Sequence, residues 1–206
     1  MAKKCTGRTA LNESVGRVVT GTLAFLWLAL ACVSLHPADA HGTSAKGSEP
    51  ARLLSVANQS IGKKMWYGYG LPSGKLGCAA ALSNVLKKAG YSYRGATAVV
   101  ALRRQLRGGP LEVRELAVKH SNDYGVDRAK LSELAVPGDM IFGYMHSPDR
   151  PNSGNDAHCG IVAGSGEVYA NDWLDGVWKR DVVDRFFAWY PYIYVIRILG
   201  PKSGQR

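Results

Sequence analysis

From Cys78 onward, apolar residues recur at helical spacing. Leu82, Val85, Leu86 and Ala89 stand on one face of an α-helix that Gly90 ends. Cys78 lies one turn before Leu82, on the same face at the helix N-terminus. Upstream, Pro50 opens a second periodic segment, "ARLLSVANQSIG", with Leu53, Val56 and Ile61 turned inward. The intervening "MWYGYGLPSGKLG" (Met65 to Gly77) is rich in rings and glycines and reads as a loop. "ATAVVALRRQLRGG" predicts a third helix closed by Gly108 and Gly109. The next stretch, "LEVRELAVKHSNDYGVDRAKLSEL", fits no single period and is read as helical.

After Pro137 the period shortens to two. "GDMIFGYM" predicts a strand and "HSPDRPNSGNDA" a long polar loop, and "HCGIVAGSGEVYAND" predicts a hairpin about Ser165-Gly166. "GVWKRDVV" and "PYIYVIRIL" read as two more strands, with "DRFFAWY" a turn or short helix between them. Helices first and an antiparallel meander afterwards make an α+β domain.

The first forty residues stand apart. Lys3, Lys4, Arg8 and Arg17 precede an apolar run from Val18 to Leu35, and Ala38-Asp39-Ala40 offers a small-x-small cleavage site. Residues 1–40 therefore read as a secretory signal peptide, with an uncleaved membrane anchor as the alternative. The expected organisation is a signal peptide (1–40), a flexible leader (41–49), one domain (50–200) and a tail (201–206). The protein is expected in the periplasm, in the cell envelope or outside the cell, without stable membrane insertion once the signal is removed.

Formal net charge is +10, and the signal peptide holds only four basic and two acidic residues of that balance. An exported basic domain suits an anionic polymer. No cluster of Lys and Arg interleaved with aromatics points to nucleic acid. Two of the four cysteines, Cys78 and Cys159, follow Ala40. In an oxidising compartment such a pair is read first as a disulfide.

The order of parts resembles a known family. A cysteine opening a helix ("GCAAALSNVLKKAGY") comes first, then "VPGDMIF", then "HCGIVAGSGEVYAN". Together with "YGYG" before the helix, this is similar to the papain-like cell-wall cysteine hydrolases of the NlpC and CHAP kind. The resemblance spans about Met65 to Leu199. It implies a papain-like fold with N-terminal helices on an antiparallel sheet, no cofactor, and peptidoglycan as the partner. It also implies cleavage of a peptide or amide bond through an acyl-enzyme, with Cys78 as nucleophile and His158 as base then acid. Tyr67 would add a hydroxyl or shape the cleft. Where NlpC-type endopeptidases commonly read "DCSG", this chain reads "GCAA", so their usual stem-peptide preference does not carry over.

The physical chemistry runs the same way. Unpaired N–H groups and the dipole at a helix N-terminus favour a thiolate, lowering a thiol from about 8.5. An adjacent imidazole can take the thiol proton and return it to a leaving amine. The Cys78 N–H would face the oxyanion. His158 and Cys159 are strand neighbours and point to opposite faces. If His158 faces the nucleophile helix, Cys159 faces away, so catalysis and a disulfide exclude each other. For the third group, a two-residue turn at Ser165-Gly166 pairs Gly160 with Asn171 and sets Asn171 on His158's face. A three-residue turn brings Asp172 there instead, so Asn171 is expected as the orienter and Asp172 as the reserve.

Two other classes compete. His146, Asp149, Asp156, His158 and Asp172 are metal-ligand types close in sequence, as a metal-dependent amidase would need, but no H-E-x-x-H helix accompanies them. A non-enzymatic secreted binding domain with a Cys78–Cys159 disulfide is the third reading.

Overall fold

The computed structural model describes residues 49–92, 94–120, 123, 125–149 and 156–203. The expected signal peptide and all of the leader except Glu49 lie outside the described residues. The order of elements is α1 (Glu49–Gln59), a 3-10 turn (Gly74–Leu76), α2 (Cys78–Lys88), α3 (Val99–Gly108), β1 (Leu111–His120), α4 (Arg128–Leu134), β2 (Met140–Tyr144), β3 (Ala157–Gly164), β4 (Glu167–Asn171), β5 (Trp178–Val182), α5 (Val183–Phe187) and β6 (Tyr192–Pro201). The six strands form one open sheet in the order β1-β6-β2-β3-β4-β5, every pair antiparallel. The chain is thus α+β, as its periodicities predict. Among the described residues no helix is long and apolar enough to cross a membrane.

Strand alternation divides the core in two. One side of the sheet presents Met140, Phe142, Cys159, Ile161, Tyr169 and Ile196 to α1, α2 and α3. The other presents Ile141, Val162, Val168, Ala170 and Val195 to Leu131 of α4 and to Val183, Phe186 and Phe187 of α5. Helix α2 is the centre of the first layer. Eight of its residues are buried, and its alanines at 79–81 let the backbone approach the sheet closely. Burying a side chain such as Leu82 or Leu86, both fully enclosed, contributes roughly 2 kcal/mol each. Helix α1 is tied to the sheet by the Trp178 indole, whose Nε1 donates to Ala57 O at 3.0 Å. The chain just past α1 then pairs with the start of β5, Gly62 N to Trp178 O and Trp178 N to Lys63 O, each 2.9 Å.

The "PGD" motif has a structural explanation. Gly138 has φ +96, and a Cβ there would overlap Pro50 O, so only glycine suits the position. Asp139 is buried; it accepts Val136 N at 2.9 Å and pairs with Arg197 Nη2 at 2.7 Å. The motif anchors the entry to β2 against α1 and β6.

Three expectations change. The ambiguous stretch is not helical throughout: Leu111–His120 is a strand paired with β6, and only Arg128–Leu134 is helix, capped by Asp127 accepting Lys130 N at 2.8 Å. Two register shifts, at Glu112/Val113 and Ala117/Lys119, break the alternation that would have marked a strand. Ile61 falls beyond α1 and is exposed rather than inward. Strand β6 runs on to Pro201, one residue into the expected tail.

Candidate active site

The glycine-rich approach to Cys78 exists to admit Trp66. A Cβ on Gly74 would overlap the Trp66 indole, and one on Gly77 would come 2.6 Å from Trp66 Cβ. Gly77 is the N-cap of α2 and supplies no side-chain bond to the first turn. The leading N–H groups of α2 therefore keep their partial positive charge for whatever stands at residue 78. What stands there is a thiol, 8% exposed, with Sγ 3.8 Å from Ala157 O at the start of β3.

The Cys78 thiol is held well below its ordinary value. A hydrogen bond from the Cys159 thiol is the largest cause; burial opposes it, and the His158 imidazole, by hydrogen bond and charge, and the Ala79 N–H add to the lowering. Cys159 moves the opposite way, pushed up by burial and by its bond to Cys78. Both cysteines are free thiols. The alternation of β3 holds, but its faces are reversed from expectation. Cys159 points into the α1–α3 layer beside Cys78, and His158 lies among aromatic residues of the α5 side. Cys78 interacts with both because it is the first helical residue, set over the end of β3 where the two faces meet. His158 and Cys159 thus both act on Cys78, contrary to the expectation that opposite strand faces would exclude one of them.

His158 is 4% exposed, and rings determine its plane. Phe186 stacks on it at 5.7 Å and 22°, Trp173 meets it edge-on at 5.5 Å, and Phe187 lies at 5.5 Å. Its buried Nε2 has no hydrogen-bond partner among the described residues. The expected orienter is elsewhere. The hairpin turn is the two-residue Ser165-Gly166, with Gly164 paired to Glu167, but the register slips between Val162 and Gly164, so Gly160 pairs with Ala170. Asn171 therefore falls beside Cys159, on the opposite face from His158. Its Nδ2 donates to Gly74 O at 2.7 Å, tying β4 to the turn before α2. Asp172 falls on His158's face, but its carboxylate is occupied: Oδ2 accepts Lys179 Nζ at 2.8 Å and Arg185 Nη2 at 2.7 Å, and Oδ1 accepts Leu174 N at 2.9 Å. Burial pushes this carboxyl up, and the three donors outweigh it and hold the group below its ordinary value.

Tyr67 is exposed, its ring 4.4 Å from that of Trp66, and it is not among the residues lining the groove at Cys78. The five metal-type residues do not converge: no group of three or more His, Cys, Asp or Glu side chains gathers among the described residues. Asp149 is instead paired with Arg103 at 2.9 Å.

Cys78 and His158 open into a groove of about 1070 Å³. Lys75 and Leu76 of the 3-10 turn, Val99 and Val100 of α3, and Trp173, Leu174 and Trp189 line it. Tyr190 lines it too, hydrogen-bonded to Asp156, and burial together with that carboxylate raises its phenol. Its ring fits because residue 143, across the ladder from His158, is glycine; a Cβ there would lie 2.6 Å from Tyr190 Cδ2. Trp173, Phe186 and Tyr190 were not singled out by sequence reasoning, and Cys159 was expected either in a disulfide or facing away from the site. The aromatic run "FFAWY" was the available signal for two of them.

A buried pair of thiols with an imidazole on a helix N-terminus, at the base of a half-apolar groove, can perform acyl transfer. No protein-family model matches the chain, and no curated protein matches it.

Proposed function

We propose that the protein is an exported papain-like cysteine hydrolase that cleaves peptide or amide bonds of peptidoglycan. The observation that carries this reading is the Cys78 thiol at the first turn of α2, lining an open groove beside His158 and lowered from its ordinary value by Cys159, His158 and the Ala79 N–H. The helical layer under an antiparallel sheet, and the order in which cysteine and histidine enter it, support the likeness to NlpC- and CHAP-type enzymes. In this mechanism the Cys78 sulfur attacks the scissile carbonyl, and the Cys78 N–H stabilises the oxyanion. His158 gives the proton to the departing amine, then draws one from the water that releases the acyl group. Among the described residues no polar third group bonds the buried Nε2 of the imidazole, and the Phe186, Phe187 and Trp173 rings pack around it.

The test is mass spectrometry of muropeptides released from purified sacculi. Wild-type protein releases defined fragments, whose termini name the bond. Cys78→Ala lowers release by ~10³-fold or more, as loss of a covalent nucleophile does, while circular dichroism and melting stay close to wild type. Undiminished release by the variant, abolished by a chelator, would replace this mechanism with the metal-dependent one.

A further inference from the structure

Two thiols buried together beneath a groove carry a consequence beyond hydrolysis. Cys78 and Cys159 belong to one buried cluster between α2 and β3, and Cys78 Sγ lies 3.8 Å from the carbonyl of Ala157, two residues before Cys159 on the same face of β3. Cys159 is fully enclosed and Cys78 is 8% exposed, so a solute reaches the pair only from the groove side, and meets Cys78 first. We propose that Cys78 and Cys159 are the site of a reversible intramolecular disulfide, formed when a hydroperoxide enters the groove.

The chemistry balances in two steps. The Cys78 thiolate attacks the peroxide O–O bond; the sulfur gains one oxygen as sulfenic acid, and hydroxide (or the corresponding alkoxide) leaves. The Cys159 sulfur then attacks the Cys78 sulfur, the S–O bond breaks as the S–S bond forms, and the leaving hydroxide takes the Cys159 proton as water. Two thiols are oxidised and one peroxide is reduced. A dithiol reductant reverses the step by thiol–disulfide exchange through Cys78, the sulfur nearer the groove. The positions suit these roles: a reactive thiol at the surface of the site, and a shielded second thiol in the same cluster, which intercepts the sulfenic acid before further oxidation. The loss of hydrolysis in the oxidised form rests on the proposed function above; the disulfide itself does not.

The experiment uses the full chain, reduced and then exposed to hydrogen peroxide. Remaining thiols are blocked with iodoacetamide, and the digest is mapped by mass. The expected product joins the peptide carrying Cys78 to the peptide carrying Cys159, lighter by two hydrogen atoms and separated by dithiothreitol. Hydrolysis of sacculi is lost with its formation and returns on reduction. In Cys159→Ala, peroxide instead drives Cys78 to sulfinic acid, and dithiothreitol restores nothing. Cys78 found as sulfinate in the wild type with Cys159 still alkylatable, or joined to Cys5, to Cys32 or to a second molecule, overturns the proposal. The wild-type map decides the matter even if the variant does not fold. Reduced protein that forms the disulfide but never cleaves sacculi would leave the pair standing and remove the hydrolase reading.

Discussion

At Cys78 two neighbours of different kinds act on one sulfur. The Cys159 thiol donates to it from the core, and His158 adds a hydrogen bond and charge. Since folding lowers this thiol's pKa, the thiolate persists below the ordinary thiol range of about 8.5. The rate of iodoacetamide labelling at Cys78 should therefore fall off at a lower pH than that of a free cysteine. In His158→Gln the falling limb should move up toward the ordinary value. A labelling curve for the wild type centred on the free-cysteine pKa would remove the helix-terminus and imidazole argument together. The linkage sign follows: the ionised Cys78 contributes stability fully above the unfolded thiol's pKa, and loses it as pH falls through the lower folded value. Cys159, shifted up, works in the opposite sense.

The end of β4 is where elements are joined around the site. Asp172 binds β5 through Lys179 and α5 through Arg185, and so sets α5 under the imidazole. Replacing it by asparagine should cost ~2 kcal/mol at neutral pH, since a buried carboxylate is lost and two cations lose their partner. Because the folded carboxyl is lowered, its contribution is present above the ordinary aspartate pKa of about 4 and goes as pH falls through the folded value. Thermal melts of wild type and Asp172→Asn should thus converge in acid; a gap that stays constant with pH would assign the loss to packing. The helix of Cys78 and the strands after Pro137 were legible because each keeps one period throughout. Strand β1 was not, because two register shifts scramble its alternation. The placing of a helix-borne thiol, Cys78, and a strand imidazole, His158, on one groove was legible from their positions in the sequence. Asn171 was misplaced because a slip of one residue in β3 decides which face it occupies, and nothing in "VAGSGEV" reveals the slip. The aromatic support of His158 comes from α5 and the β4–β5 loop, brought in by tertiary packing rather than by spacing.

Over the whole chain the formal charge is +10, which on the proposed reading would draw the protein's surface to an anionic polymer. Binding to sacculi should then weaken several-fold as salt rises from about 0.1 M to about 1 M, where the Debye length shrinks from about 10 Å to about 3 Å. Sedimentation of Cys78→Ala with sacculi measures this without turnover, and binding indifferent to salt would assign the affinity to the apolar groove instead. The two irregularities of β1 have a further effect. Among the described residues β1 borders the sheet, paired on one side only, by β6. Its broken register and the exposed charges of Glu112 and Arg114 make that border a poor template for another chain's backbone. At the opposite border, the start of β5 is already paired by Gly62 and Lys63. On the proposed reading, which would concentrate the protein against a polyanionic mesh, these borders keep it from zipping into fibrils with its own copies.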